Sequence, residues 1–341
     1  MKRPWLAPLT PLYAAGVALR ELRLERGWEP VKRLGWPVIS IGNLSTGGSG
    51  KTPLTIALAG ALTERGLHVD VLSRGYGRTG HDAARVDPDG DAEEFGDEPL
   101  LIAREAGVPV YVAAQRYQAG LMAEAVQPDL KGPTVHLLDD GFQHRQLHRD
   151  VDALLLDRSD WHGNLLPVGN LRETRKAVRR ATILAIPADD PEFGAELEGW
   201  GWHGPVWRLR RSMEVPDIDG AVLAFCGIAR PEQFFAGLED AGLHLAGRIS
   251  FPDHHRYTLG DLNRLVSAAR KSGAKTLVST EKDLVRLGKL TSTLSASLPL
   301  RTVGLRIEIE NQNEAMDWLA ARVVDVSDNV LHKYELVKSP I

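Results

Sequence analysis

Gly42-Asn43-Leu44-Ser45-Thr46-Gly47-Gly48-Ser49-Gly50-Lys51-Thr52 is the stretch that decides the fold class. An apolar run, 37–42 (PVISIG), precedes it. A helical pattern, 53–65, follows, with Leu54, Ala57, Leu58, Ala61 and Leu62 on one face. Strand, glycine-rich turn and helix in that order are the context of a phosphate-binding loop. Glycines let backbone N–H groups turn inward on phosphate oxygens, and the helix N-terminus adds a favourable dipole. In such a loop Gly47, Gly48, Ser49 and Gly50 cradle the phosphates. Lys51 places its charge on the β/γ-phosphates, and the Thr52 hydroxyl ligates Mg²⁺. Pro53 suits a first-turn position, where its missing N–H costs little. Ser45 stands where the usual pattern has its first glycine, so the loop is closer to the GGxGKT variant.

Outward from the loop, apolar runs and helical patterns alternate. Strand candidates are 68–73, 108–113, 134–139, 152–157 and 182–187; helical patterns are 98–106 and 115–126. This alternation implies a mostly parallel sheet covered on both faces. Residues 196–220 break it: Trp200, Trp202 and Trp207 lie among Gly and Pro, and Arg208, Arg210 and Arg211 follow. A second α/β pattern then starts at 221–226 and runs through helix 231–241, strand 245–250, helix 259–272 and strand 275–280. The expected organisation is an N-terminal helix in 1–30, a P-loop NTPase-like domain in 31–205 and a connection in 206–220. A smaller α/β domain in 221–325 and a polar tail in 326–341 complete it.

A phosphate loop needs an acid at the end of a neighbouring strand, and 134–140 (TVHLLDD) supplies Asp139 and Asp140. Gly96-Asp97-Glu98-Pro99 ends a stretch, 82–98, with eight acids and one base; pattern alone does not select between Asp97 and Glu98. Ser73-Arg74-Gly75-Tyr76-Gly77-Arg78 follows strand 68–73, at a strand end that faces ligand in such sheets. Arg74 and Arg78 there read equally as anion ligands or as surface arginines on a glycine turn. Asp253-His254-His255 offers an acid–base pair and lacks a third ligand at metal spacing. Thr280-Glu281-Lys282-Asp283 reads as a charged helix start.

The remaining constraints come from composition. The chain has 341 residues, 43% hydrophobic and 25% charged, which excludes collagen-like, disordered and disulfide-scaffold classes. Cys226 is the only cysteine, so no internal disulfide forms, and a reducing compartment fits. A net charge of −4 argues against a general nucleic-acid binder. Residues 1–33 carry seven Lys/Arg against three Glu, interleaved with Trp5, Leu9, Leu12, Leu19 and Leu22. The apolar run from Leu12 to Leu19 is too short to span a bilayer, and no small-residue cleavage site follows it. A basic, Trp-bearing helix lying in a membrane interface is the expectation.

Taken together, GNLSTGGSGKTP (42–53), SRGYGR (73–78), GDEP (96–99), DDGFQH (139–144), LLPVGNLRE (165–173), FPDHH (251–255) and STEKD (279–283) resemble the tetraacyldisaccharide 4′-kinases of lipid A biosynthesis. The resemblance covers about residues 4–290 and departs from the family pattern at Asn170 and Thr174. It implies an ATP- and Mg²⁺-dependent kinase for the 4′-hydroxyl of a tetraacylated disaccharide 1-phosphate. The enzyme would sit peripherally on the cytoplasmic face of the inner membrane, with no obligate protein partner. By matching position, Lys51 and Thr52 serve ATP and Mg²⁺, Asp97 is the general base, and His254 is its dyad partner from the second domain. Glu98, Asp139 and Asp140 gather at the metal, and Arg74, Arg78, Gln143, His144, Arg172 and Glu173 are substrate-side positions.

Overall fold

The computed structural model describes residues 4–126, 130 and 132–338. A 3₁₀ turn, Pro4–Leu9, leads into α1 (Thr10–Glu25). The first α/β run is β1 (Val38–Asn43), α2 (Lys51–Glu64), β2 (His68–Ser73), β3 (Ala84–Arg85), α3 (Ala92–Phe95), α4 (Asp97–Glu105), β4 (Val110–Val112) and α5 (Arg116–Val126). It continues through β5 (Thr134–Asp139), β6 (Val151–Leu155), α6 (Arg158–Trp161), β7 (Ile183–Pro187), α7 (Pro191–Gly199) and β8 (Val206–Glu214). The second run is β9 (Val222–Cys226), α8 (Pro231–Asp240), β10 (Leu245–Ser250), α9 (Leu259–Ser272), β11 (Thr276–Thr280), α10 (Glu281–Leu287), α11 (Leu290–Ser297), β12 (Leu300–Ile309) and α12 (Gln312–Lys338).

All twelve strands join in one sheet, ordered β10-β9-β11-β12-β8-β7-β6-β1-β5-β2-β4-β3. Pairing is parallel except at β8–β12 and β3–β4. The β8–β12 seam, with Leu209 opposite Ile309 and Glu214 opposite Gly304, fuses the two parallel runs. Residues 206–214, inside the expected connection, form one side of this seam. That part of the connection is a strand whose Trp207 and Leu209 are buried while Arg210 faces water. The alternation is a half-buried strand's, partly hidden in the sequence by the surrounding Trp, Arg and Gly. The tail is also not shapeless: α12 carries it to Lys338, and residues 339–341 lie outside the described residues.

β1 sits between β5 and β6, reached by chain segments running to opposite sides, so a crevice opens beyond its C-terminal end. Every residue of β1 is buried. Leu54, Leu58 and Leu62 of α2 are fully buried against it, each contributing about 2 kcal/mol. The same core takes in Ile307 and Ile309 of β12 and Met316, Leu319 and Val323 of α12, so β12 and the start of α12 pack with α2. A separate core, with Phe225, Tyr257 and Leu265, stabilises the second run.

Candidate active site

The turn between β1 and α2 closes at Gly50, which caps α2 at φ +93°, and Gly47 sits at φ +102°. Both conformations favour glycine. Behind the turn, Thr46 N donates to Asn170 O at 2.8 Å and Arg172 N to Leu44 O at 2.7 Å. Inside it, Lys51 Nζ donates to Asn43 Oδ1 at 3.1 Å and to Ser49 Oγ at 3.5 Å, with Asp140 Oδ1 at 3.7 Å. Arg211 of β8 reaches over to donate to Ser49 O at 2.7 Å.

β5 ends on Asp139, buried, with Thr55 Oγ1 of α2 donating to its Oδ1 at 3.3 Å. Burial, with Glu98 and Asp140 as neighbouring negative charges, pushes the Asp139 carboxyl above its ordinary value. Asp140 takes φ +48°, which swings its carboxylate away from the strand direction. Arg172 Nη1 donates to its two oxygens at 3.1 and 3.0 Å and to Gln143 Oε1 at 3.1 Å. Burial works against ionisation of Asp140, but Lys51 and Arg172 outweigh it and lower its pKa.

Across the cavity, α4 begins on Asp97 and Glu98. Asp97 is buried; His254 Nδ1 at 2.9 Å and Arg286 Nε at 2.7 Å donate to its Oδ2, and Arg286 Nη2 lies in ion-pair contact with the same oxygen at 2.6 Å. Burial alone would raise its pKa; the His254 hydrogen bond and the charges of Arg286 and Lys282 hold it well below the carboxylate range. The same hydrogen bond raises the His254 pKa against burial. Because the Asp97 carboxylate has no proton, His254 Nδ1 is the donor. His254 lies at φ +58°, a strained turn that costs about 1–3 kcal/mol, held under the Tyr76 ring at 5.4 Å. Lys282 Nζ pairs with Glu98 Oε1 at 2.7 Å.

These groups surround a cavity of about 900 Å³. Of the residues expected from sequence, the whole loop 47–52, Arg74, Glu98, Asp139, Asp140, Gln143, His144, Arg172 and His254 line it. His144 is pushed down to about 3 by burial and by Arg116, Arg149, Arg20 and Arg74, so it stands there neutral. Two expected substrate-side residues are not brought to the wall. Arg78 donates to Asp82 O within its own loop. Glu173 is buried under Arg180 at 2.5 Å, and Arg180 also grips Glu21 of α1 at 3.0 Å. The acid and its arginine anchor the N-terminal helix, and they do not face the cavity.

Sequence reasoning missed Arg20, Arg116, Arg211, Lys282 and Arg286. Arg20 of α1 donates to Gln143 O at 2.8 Å. Arg116, at the start of α5, lines the cavity, and burial and Arg74 lower its pKa to about 10. Lys282 and Arg286 are one turn apart on α10, just past the C-terminal end of a parallel strand; that placement was the available signal.

Cations line the cavity, and His254 in its lining is bound to the buried Asp97 carboxylate behind it. A polyphosphate and an alcohol would meet there, so fold and site together define an α/β enzyme of the phosphotransfer class. Comparison narrows the class: a family model described as tetraacyldisaccharide-1-P 4′-kinase matches residues 2–324, and the chain belongs to that family. A tetraacyldisaccharide 4′-kinase from Koribacter versatilis is 42% identical over 321 residues, 91% of this chain and 96% of the relative. One from Geobacter metallireducens is 40% identical, covering 85% and 90%. Among solved structures, LpxK from Aquifex aeolicus, described as in complex with ATP, matches with a TM-score of 0.73 and 32% identity, over 93% of this chain and 98% of that one.

Proposed function

We propose that this kinase transfers the γ-phosphate of ATP to the 4′-hydroxyl of a tetraacyldisaccharide 1-phosphate, a step of lipid A biosynthesis. The observation that carries this is a single cavity lined by Lys51, Asp139 and His254, with the buried Asp97 carboxylate bound to His254 just behind the lining. The fold is read as P-loop NTPase-like. Loop 47–50 and the N-terminus of α2 cradle the phosphates, and Lys51 leaves Asn43 and Asp140 for phosphate oxygen. Asp97 takes the hydroxyl proton, and His254 holds it from the second domain, so that both halves complete the site.

The residues also fit Mg²⁺. Among the described residues no three His, Cys, Asp or Glu side chains gather into a metal cage. Mg²⁺ needs none, because it takes one or two carboxylates, a hydroxyl, phosphate oxygens and water. Asp139, whose charge no cation neutralises at hydrogen-bond range, fits that role best, with Thr52 and Glu98 beside it; Asp140 is already paired with Arg172. When bound, the ion neutralises charge developing on the transferred phosphoryl group.

Residues 31–205 and 221–325 serve as the two domains, joined through 206–220, with α12 packing back on the first. An acceptor with four acyl chains stays in the bilayer, and α1 suits that. It exposes Leu12 and Leu19 on one side, after Trp5 in the preceding turn, while Tyr13, Arg20 and Glu21 hold the other side to the protein. No helix among the described residues is long and apolar enough to cross a membrane. The exposed apolar side of α1 supports the reading that it lies in the interface, on the cytoplasmic side where ATP is available.

The test uses purified protein, Mg²⁺, γ-labelled ATP and tetraacyldisaccharide 1-phosphate in detergent micelles. Label on the lipid, lost by orders of magnitude in Asp97→Ala, is expected. ATP hydrolysis indifferent to lipid, with none labelled, overturns the assignment.

A further inference from the structure

The two oxygens of Asp97 are unequal. Oδ2 receives hydrogen bonds from Arg286 Nε at 2.7 Å and His254 Nδ1 at 2.9 Å, with Arg286 Nη2 in ion-pair contact at 2.6 Å. Oδ1 receives the Glu98 backbone N–H at 3.1 Å. A carboxylate oxygen offers about two lone-pair sites, so Oδ2 is saturated and Oδ1 retains one. Arg286 is itself held fast. Its Nη1 donates to Gly227 O and lies 3.4 Å from Asp283 Oδ1. Asp283, fully buried, is pinned by Gly227 N at 2.9 Å, Tyr257 Oη at 2.9 Å and Thr280 Oγ1 at 2.7 Å. Arg286 and Asp97 are only 5% and 7% exposed, yet they come from opposite halves of the sheet. A guanidinium seated this way fixes the place of Oδ2, and the Glu98 N–H on Oδ1 then sets how the carboxylate is turned about it; a histidine with one donor leaves that oxygen less constrained.

We infer that Arg286 is the positioning residue of the phosphotransfer site: its fork on Oδ2 orients Asp97 so that Oδ1 alone receives the acceptor hydroxyl proton. The inference rests on the reading of Asp97 as base. Arg286 does not line the cavity; it acts through the carboxylate.

The experiment is a double-mutant cycle on the full chain, in the micelle assay, with Arg286→Met, Arg286→Lys, Asp97→Asn and the combinations. Arg286→Met is expected to lower kcat about 10- to 100-fold, part of what a base supplies, with KM for ATP and lipid changed less than about twofold. Arg286→Lys recovers part of the loss, because an ammonium keeps the charge and loses the fork. In the Asp97→Asn background the same Met substitution changes the residual rate by less than about twofold, because the group it acts through is gone. Equal losses in both backgrounds, or an unchanged kcat, overturn the inference. The Lys variant carries the same comparison where the Met variant does not fold. Wild-type protein that labels no lipid overturns the functional assignment itself. Wild-type transfer with an additive cycle overturns the role of Arg286 alone.

Discussion

Lys282 Nζ stands 2.7 Å from Glu98 Oε1, an ion pair that ties the first turn of α10 to the first turn of α4. The Glu98 carboxyl is held low first by this charge, against burial, and Asp139 is a neighbouring negative group. A lysine placed there competes with any divalent ion drawn to the two carboxylates. Lys282→Met should therefore bind Mg²⁺ more tightly without nucleotide, on the order of three- to tenfold for removal of a nearby charge. Calorimetric titration with Mg²⁺ checks this; unchanged or weaker binding would contradict it.

His254 contributes one directional hydrogen bond to Asp97 from a strained turn. Its replacement by Ala removes that donor and leaves Arg286 in place. A kcat loss of about 100-fold is expected, with KM for ATP nearly constant. Steady-state transfer to micellar acceptor reads it directly. An unchanged kcat would remove His254 from the proton path.

A second buried histidine bears on stability. His136 of β5 lies between Asp70 Oδ1 at 2.7 Å and Glu124 Oε1 at 3.4 Å, stacked on Trp36. Burial opposes its charge, but Asp70 and Glu124 overcome that and raise its pKa to about 9 from 6.5. The folded value lies above the unfolded one. The protonated pair thus stabilises fully below the unfolded value and is lost as pH rises through about 9. Urea midpoints should fall between pH 7 and 10. An Asp70→Asn/His136→Gln variant should show a shallower fall over the same range, and an identical slope would refute the assignment.

Gly42 has no room for a methyl group. An added Cβ would lie 2.5 Å from Phe142 Cβ and 2.9 Å from the Phe142 backbone nitrogen. Gly42→Ala should cost about 1–3 kcal/mol, as overpacking does. It should also cut phosphotransfer, because the displaced segment carries Asp140 and Gln143. Chemical denaturation and the transfer assay test the two effects separately.

What the sequence made legible follows from locality. The glycine turn, Lys51 and Thr52 sit in one continuous window. β2 and β5 were found with their observed bounds because each is an apolar run stopped by polar or glycine residues. β12 escaped because its pattern is broken by Gly304 and the exposed Leu305. The Asp97–Arg286 contact joins residues 189 positions apart, and no local period announces such a pair. Arg78, which reads equally as an anion ligand or a surface arginine, donates to Asp82 O in its own loop; a glycine turn with an arginine has the same spelling in both roles.

One consequence of the packing of α12 concerns the order of synthesis. The core that holds α2 takes in Met316, Leu319 and Val323, and Arg65 at the end of α2 reaches Asp317 at 3.0 Å. A ribosome therefore releases the loop, its lysine and its acids long before the residues that seal them exist. A nascent chain halted short of residue 312 would hold the outer face of α2 bare and sticky. Chaperone capture should persist until α12 emerges.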